Sequence, residues 1–289
     1  MNHRNDFQKL IIEMEEERVE AAKGIPPLLW IILGIFLLWF VSILLPADLA
    51  QGNASMNHPP SREHLFGTDS LGRDLFFRII KGFELTFLLG ILGGGAEFLL
   101  GGIYGTLAGL SGRRVDNLLM RILDVFSSIP YLLLVTLMIL AARSSFSGII
   151  LAITLTGWMP TARIIRGEVM SLREENYVKA SLLMGGGRFF IIKAHILPNI
   201  IGILLTSVVI NIPKYIFAEA FLSFLGLGFS YPKISWGMIL ASGQENLYFY
   251  PYQVIIPALI LVATLLGLTV IGEQLKKRVA GTHWRGYYG

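Results

Sequence analysis

Cysteine is absent from the chain, so neither a disulfide nor a thiolate metal site can form. Charge is scarce: 15% of residues are Asp, Glu, Lys or Arg, against roughly 25% in soluble domains. Gly-x-x-x-x-Gly-Lys-Ser/Thr does not occur, and no glycine is followed by lysine. This excludes ATP binding through a phosphate loop. His-Glu-x-x-His and Gly-x-Ser-x-Gly are also missing. The five histidines are scattered, and the apolar runs hold no nucleophile–base pair or metal cluster, which argues against an intramembrane enzyme. The first 27 residues are charged and no small-residue cleavage site follows the first apolar run, so no cleavable signal peptide is expected.

What is present is grease. Of the 289 residues, 54% are hydrophobic, with a mean hydropathy of +0.62. The expectation is a polytopic membrane protein. The net charge of +4 reads as basic residues marking cytoplasmic loops, not as nucleic-acid binding.

Taken in order, residues 1–27 mix acids and bases and read as a cytoplasmic segment. Leu28 to Leu45 is uncharged and long enough to span. Pro46 to Pro60 reads as an external loop, followed by turns at Gly67 and Gly72. Leu71, Leu75, Phe76, Ile79, Ile80 and Phe83 then form an amphipathic pattern. It is expected to lie at the outer surface, with Arg73, Arg78 and Lys81 towards water or headgroups. Asp69, Arg73 and Asp74 could meet a docking receptor, but Gly and Asp here also make turns, and that reading is placed first.

Leu85 to Leu110 is the second expected span. Gly90/Gly94 and Gly101/Gly105/Gly109 repeat every four residues and give one face where another helix can approach closely. Glu97 lies near its middle and either bonds to another helix or faces a water-filled path. Asp116 and Asn117 could cap a third span running to about Ala142, kinked at Pro130, with Arg121 and Asp124 paired on one face. Ser144 to Ala162, Ile200 to Leu222 and Tyr252 to Gly272 are the remaining spans. The fifth is interrupted at Pro213. Lys214 beside it could snorkel, pair with Glu219 or Glu97, or face the path. Gly226 to Pro251, with Trp236, reads as an external loop. With six spans and an inside N-terminus, most of the 24 lysines and arginines fall on the cytoplasmic side, and so do both termini.

Between spans four and five lies a polar, basic stretch. Tyr177 to Met184 can form about two turns of helix. Gly185, Gly186 and Gly187 stop it, since glycine enters the left-handed cap conformation cheaply. Arg188 to His195 can form a second short helix that Pro198 ends. The product is a knob with small residues, Ala180 and Ser181, and an apolar tip of Leu182, Leu183 and Met184. Such a tip, on the cytoplasmic side, wants a protein partner.

Lys179-Ala-Ser-x-x-x-Gly185, nine residues, then His195-Ile-Leu-Pro198 resembles the EAA loop of ABC-importer permeases. The fuller string from Tyr177 to Asn199 is similar to the oligopeptide/dipeptide/nickel branch. Three further strings agree: His64 to Asp74, Val115 to Arg121, and Glu219 to Gly228. Lys179 stands where Glu is usual and Ser181 where Ala is usual. The resemblance implies an all-α membrane protein with the type I ABC-importer permease fold and a coupling loop at 170–199. The transmembrane domain would be 84–273, preceded by a span, loop and amphipathic helix at 28–83 and followed by a tail at 274–289.

It further implies a peptide-translocating, non-enzymatic subunit of the cell membrane. Its partners would be a second related permease, two ATPase subunits that bind ATP and Mg, and an extracytoplasmic binding protein. Lys179 to Gly185, His195 and Pro198 would couple to an ATPase. Glu97, Lys214 and Glu219 are path candidates, and Asp69, Arg73, Asp74 and Trp236 are receptor-facing candidates. Nickel-chelate or another small solute is an alternative cargo, and a membrane scaffold without transport is a further alternative.

Overall fold

Two turn glycines and one aspartate set the start of the helical body. The computed structural model describes residues 25–46, 54–142, 146–229 and 233–283; the expected N-terminal segment and the end of the tail lie outside them. Gly67 and Gly72 take positive φ (76° and 69°), the conformation that only glycine enters without strain. They fold the chain back so that Asp74 Oδ1 accepts from the backbone N–H groups of Phe76 (2.8 Å) and Phe77 (3.3 Å). That cap opens α2 (Leu75–Ala96), which follows α1 (Ile25–Leu44).

The outer amphipathic helix and the second span, expected as separate elements, are one rod. α2 runs into a π-helical turn (Glu97–Gly101) and then α3 (Gly102–Leu110). Nothing at Gly82 or Phe83 breaks it, because Phe83 is fully buried there in a core with Trp236 and Ile216. The π turn inserts one residue and so rotates α3 relative to α2 by about 100°. Gly90 and Gly94 therefore face Ile212 and Val208, whereas Gly101, Gly105 and Gly109 face Thr161, Ile165 and Val169. The glycine stripe serves two neighbours instead of one.

α4 (Arg113–Ser127) and α5 (Tyr131–Ala141) form the third expected span. The kink foreseen at Pro130 is an 83° bend. Asp116 and Asn117 do not cap α4; Gly112 precedes it. Asp116 is instead buried against Arg166, whose Nη2 donates at 2.5 Å. Asp124 accepts from Arg163 (2.9 Å), so the expected pair with Arg121 on the same helix gives way to a bond between helices.

α6 (Phe146–Thr156) and α7 (Met159–Glu174) come next. They continue one another as a 28-residue span, Ser147–Glu174, well past the expected end at Ala162. Then come α8 (Asn176–Leu183), α9 (Arg188–Ile191), a second π turn (Ile192–Ile196), α10 (Leu197–Phe224), α11 (Trp236–Gln244) and α12 (Tyr252–His283).

Neither Pro198 nor Pro213 ends a helix: Arg188–Phe224 is continuous. The wide π turn ahead of Pro198 gives its ring room. Around Pro213, bonds from Asn211, Lys214 and Tyr215 to other helices hold the chain in line. Among the described residues, Ser147–Glu174, Arg188–Phe224 and Tyr252–Lys277 are long and apolar enough to cross a membrane, and the bent α4–α5 pair makes a fourth.

α3 approaches the backbone of α7 closely. A Cβ at Gly105 would lie 2.5 Å from the Ala162 carbonyl oxygen. We expect Gly105→Ala to destabilise the protein by about 1–3 kcal/mol, since backbone must move to admit the methyl. Gly95→Ala, where a Cβ meets nothing within 4 Å, should be neutral or stabilising. Thermal unfolding of the two variants in detergent checks this; equal midpoints would refute the close-approach argument.

Candidate functional site: the knob and the buried carboxylates

The knob is built by local rules. α8 closes on Met184, and Gly185 takes φ +87°. Gly185 N–H then donates to Leu182 O (3.0 Å) and Gly186 N–H to Ser181 O (2.9 Å). This pair of bonds satisfies the last carbonyls of the helix. Val178 and Ser181 are buried beneath. His195 sets its ring 5.6 Å from that of Tyr177 and 5.8 Å from that of Phe190, and so packs α8 against the start of the next helix. Burial, with the Glu175 and Glu168 carboxylates nearby, holds the Tyr177 phenol above its usual range. Lys179 pairs with Glu174 at 2.9 Å. Both are exposed, so water and salt screen the pair and it contributes little.

What remains outside is apolar. Leu183 is 89% exposed and Met184 83%, with Leu182 half exposed. Ala180 and Pro198 are also at the surface. Phe189 (77%) and Phe190 (54%) extend the patch across the glycine turn. Sequence reading missed these two. Their signal was present: two adjacent phenylalanines directly after a glycine stop cannot both point inward on so short a helix.

The receptor-facing candidates are mostly inside. Trp236 is 1% exposed and donates from Nε1 to Ile79 O (2.7 Å), with its ring 5.3 Å from that of Phe83. It belongs to the buried start of α11, a helix within the expected external loop. Asp69 is buried and collects the Leu71 and Arg73 N–H groups (2.9 Å each), Arg73 Nε (2.7 Å) and the guanidinium of Arg78. Arg78 is therefore in the core, not at the headgroups. Asp74 is buried as the cap of α2 and accepts from His64. These carboxylates hold the turn, in keeping with turn chemistry, and only Arg73 keeps partial exposure. The turn is clamped to α12 by Tyr252 and Gln253, which donate to Thr68 O at 3.1 and 3.0 Å.

The three path candidates lie in two separate knots. Glu97, fully buried, accepts from Thr161 on α7 and from Asn211 (2.6 Å) and Tyr215 (2.8 Å) on α10. Lys214 donates to Gly157 O (3.2 Å) and sits 4.3 Å from the centroid of the Tyr131 ring. Carbonyl and ring take the place of snorkelling. Glu219, 1% exposed, accepts from Ser223 (2.7 Å) and adjoins Thr86 and Ser235. Thr86 and Ser235 each accept a backbone N–H of α11, from Trp236 and Met238. The other carboxylate oxygen of Glu219, Oε2, is buried without a hydrogen-bond partner.

The model of the family described as "Binding-protein-dependent transport system inner membrane component" matches residues 101–281. The chain belongs to this family. The permease is 37% identical over 250 residues to the oligopeptide transport system permease protein OppC of Bacillus subtilis (strain 168), covering 86% of this chain and 82% of that one. It is also 37% identical over 252 residues to the dipeptide transport system permease protein DppC of the same strain, covering 84% and 79%. Among solved structures, the MetNI methionine ABC transporter in its inward facing conformations matches 71% of the permease and 97% of that chain, with a TM-score of 0.53 and 20% identity. That likeness supports the fold. The matched family region contains the knob and both helices that carry partners of Glu97.

Proposed function

We propose that this permease is one translocation subunit of an ATP-driven peptide importer. The observation that carries the reading is the exposed apolar tip at Leu183, Met184 and Phe189, held out from the spans by a capped helix turn. A patch of this kind at the end of a polar loop suits insertion into a groove of a partner protein. Peptide cargo is carried over from the OppC and DppC relatives.

In this reading two ATPase subunits, which hold ATP and Mg, grip this knob and its counterpart on a second, related permease. Both termini and the knob are cytoplasmic. Closure of the ATPases draws the knobs together and the helices rock, opening the path outward, where a binding protein delivers cargo. Hydrolysis resets the path inward. The rods that transmit this motion are Ser147–Glu174 and Arg188–Phe224, which flank the knob directly.

The test is isolation of the intact complex through a tag on this permease, followed by identification of what its binding protein carries. We expect a second permease, ATPase subunits and peptides of mixed sequence. A metal chelate or a single small solute in the binding protein would contradict peptide cargo. Absence of any ATPase from the complex would contradict the importer reading itself.

A further inference from the structure

Four irregular points in the helices lie around one buried cluster. The first is the π turn that starts at Glu97. The second is the turn between α6 and α7 at Gly157 and Trp158. The third is the 83° bend between α4 and α5, after which Tyr131 opens α5. The fourth is Pro213 inside α10. Side chains from these points meet one another. Glu97 is bonded to Thr161, Asn211 and Tyr215. Lys214, next to Pro213, donates to Gly157 O and caps the Tyr131 ring. The Tyr215 ring fills the space at Gly93 and Gly157, where a Cβ would lie 2.5 and 2.2 Å away.

Directional bonds among buried groups select one arrangement, because any other leaves donors unpaired away from water. Here those bonds join four irregular points of the helix bundle. Their strength is uneven. Three donors converge on the Glu97 carboxyl, whereas Lys214 reaches α5 only through the Tyr131 ring face, its hydrogen bond going to Gly157 O between α6 and α7. Water can replace that ring contact at smaller cost. The knot is firm on the α7–α10 side and weak on the α5 side.

We propose that this network is a latch that holds the α4–α5 bend in the conformation seen here. Glu97, Tyr215 and Lys214 are then positioning residues for the conformational step of transport. Release at Lys214 frees Tyr131 and lets α4 and α5 swing towards a straighter arrangement, while α7 and α10 stay joined through Glu97. The step belongs to the transport cycle of the importer reading, but the latch itself is a property of this chain and is measurable without cargo.

The chain has no cysteine, so a pair of labels can be placed at Asn117 on α4 and Leu137 on α5, both exposed. In the complete importer, built with cysteine-free partners in nanodiscs, pulsed electron paramagnetic resonance reads the distance across the bend. Lys214→Met removes both contacts of Lys214 and keeps the length of the side chain. Tyr215→Phe and Thr161→Val each remove one bond of Glu97, on the side that stays joined, and should leave the distances as in wild type. We expect Lys214→Met to raise the share of a longer, straighter population about tenfold over wild type, the effect of one lost buried bond on a two-state balance. The ratio of cargo-stimulated to basal ATP hydrolysis should fall by a similar factor.

Distances like wild type in Lys214→Met, in complexes that assemble normally, would overturn the latch, and so would an equal shift in all three variants. So would poor assembly in which the surviving complexes keep the wild-type distances, since that describes a purely structural knot. A distance shift without any peptide-stimulated hydrolysis in the wild type would sink the importer reading and leave the latch standing.

Discussion

Leu183→Asp will abolish ATP-driven uptake while the permease still inserts and folds. Leu183 is 89% exposed, so within the chain the substitution removes almost no packing. Its effect must arise at a surface that another protein covers. A carboxylate forced into an apolar groove without a partner costs several kcal/mol, and a loss of about 4 kcal/mol lowers affinity roughly a thousandfold. ATPase retained on purified complexes should fall by that order, and uptake with it. Met184→Asp and Phe189→Asp should do the same. Arg62→Ala, at an exposed position ahead of α2, should leave ATPase retention unchanged. Normal ATPase retention and uptake in all three knob variants would remove the knob from the coupling role.

Glu97→Leu will prevent accumulation of folded permease, and Glu97→Gln will not. Leucine deletes the acceptor for Thr161, Asn211 and Tyr215 together. Each buried donor left unpaired costs about 1–3 kcal/mol, so the total is comparable with the ~5–15 kcal/mol that holds a domain folded. Glutamine differs for a geometric reason. Thr161 and Asn211 both donate to Oε1, which an amide oxygen can replace. Tyr215 donates to Oε2, and its hydroxyl can turn to accept from an amide N–H instead. Size-exclusion profiles of the two variants in detergent decide the matter. Equal yields of monodisperse protein would mean that the carboxyl has no structural role.

Much of the knob was legible because its rules are local. Three consecutive glycines after a short helical run leave the chain little choice, and Gly185 takes the left-handed cap conformation expected of it. The close approaches of the glycine repeat in the second span were legible for the same reason, but the π turn divides them between two neighbours instead of one face. What stayed hidden was set by partners far away in sequence. Asp116 and Asp124 looked like a cap and an intrahelical pair, yet their arginines come from α7, dozens of residues on. Trp236 sat in a stretch rich in glycine and polar residues and read as a loop. Its burial depends on Ile79 and Phe83 near the start of α2. Lys214 was expected to snorkel, to pair with Glu219 or Glu97, or to face the path; its bond to Gly157 O depends on the position of another helix.

The central claim is that this chain passes peptides inward on energy supplied by attached ATPases. The direct measurement is uptake of a labelled peptide into proteoliposomes containing the complete complex, with binding protein outside and ATP inside or absent. The account predicts accumulation that requires both ATP and binding protein, and that disappears when the permease carries Leu183→Asp. Accumulation independent of ATP, or no peptide uptake from a complex that hydrolyses ATP in response to a different solute, would contradict it.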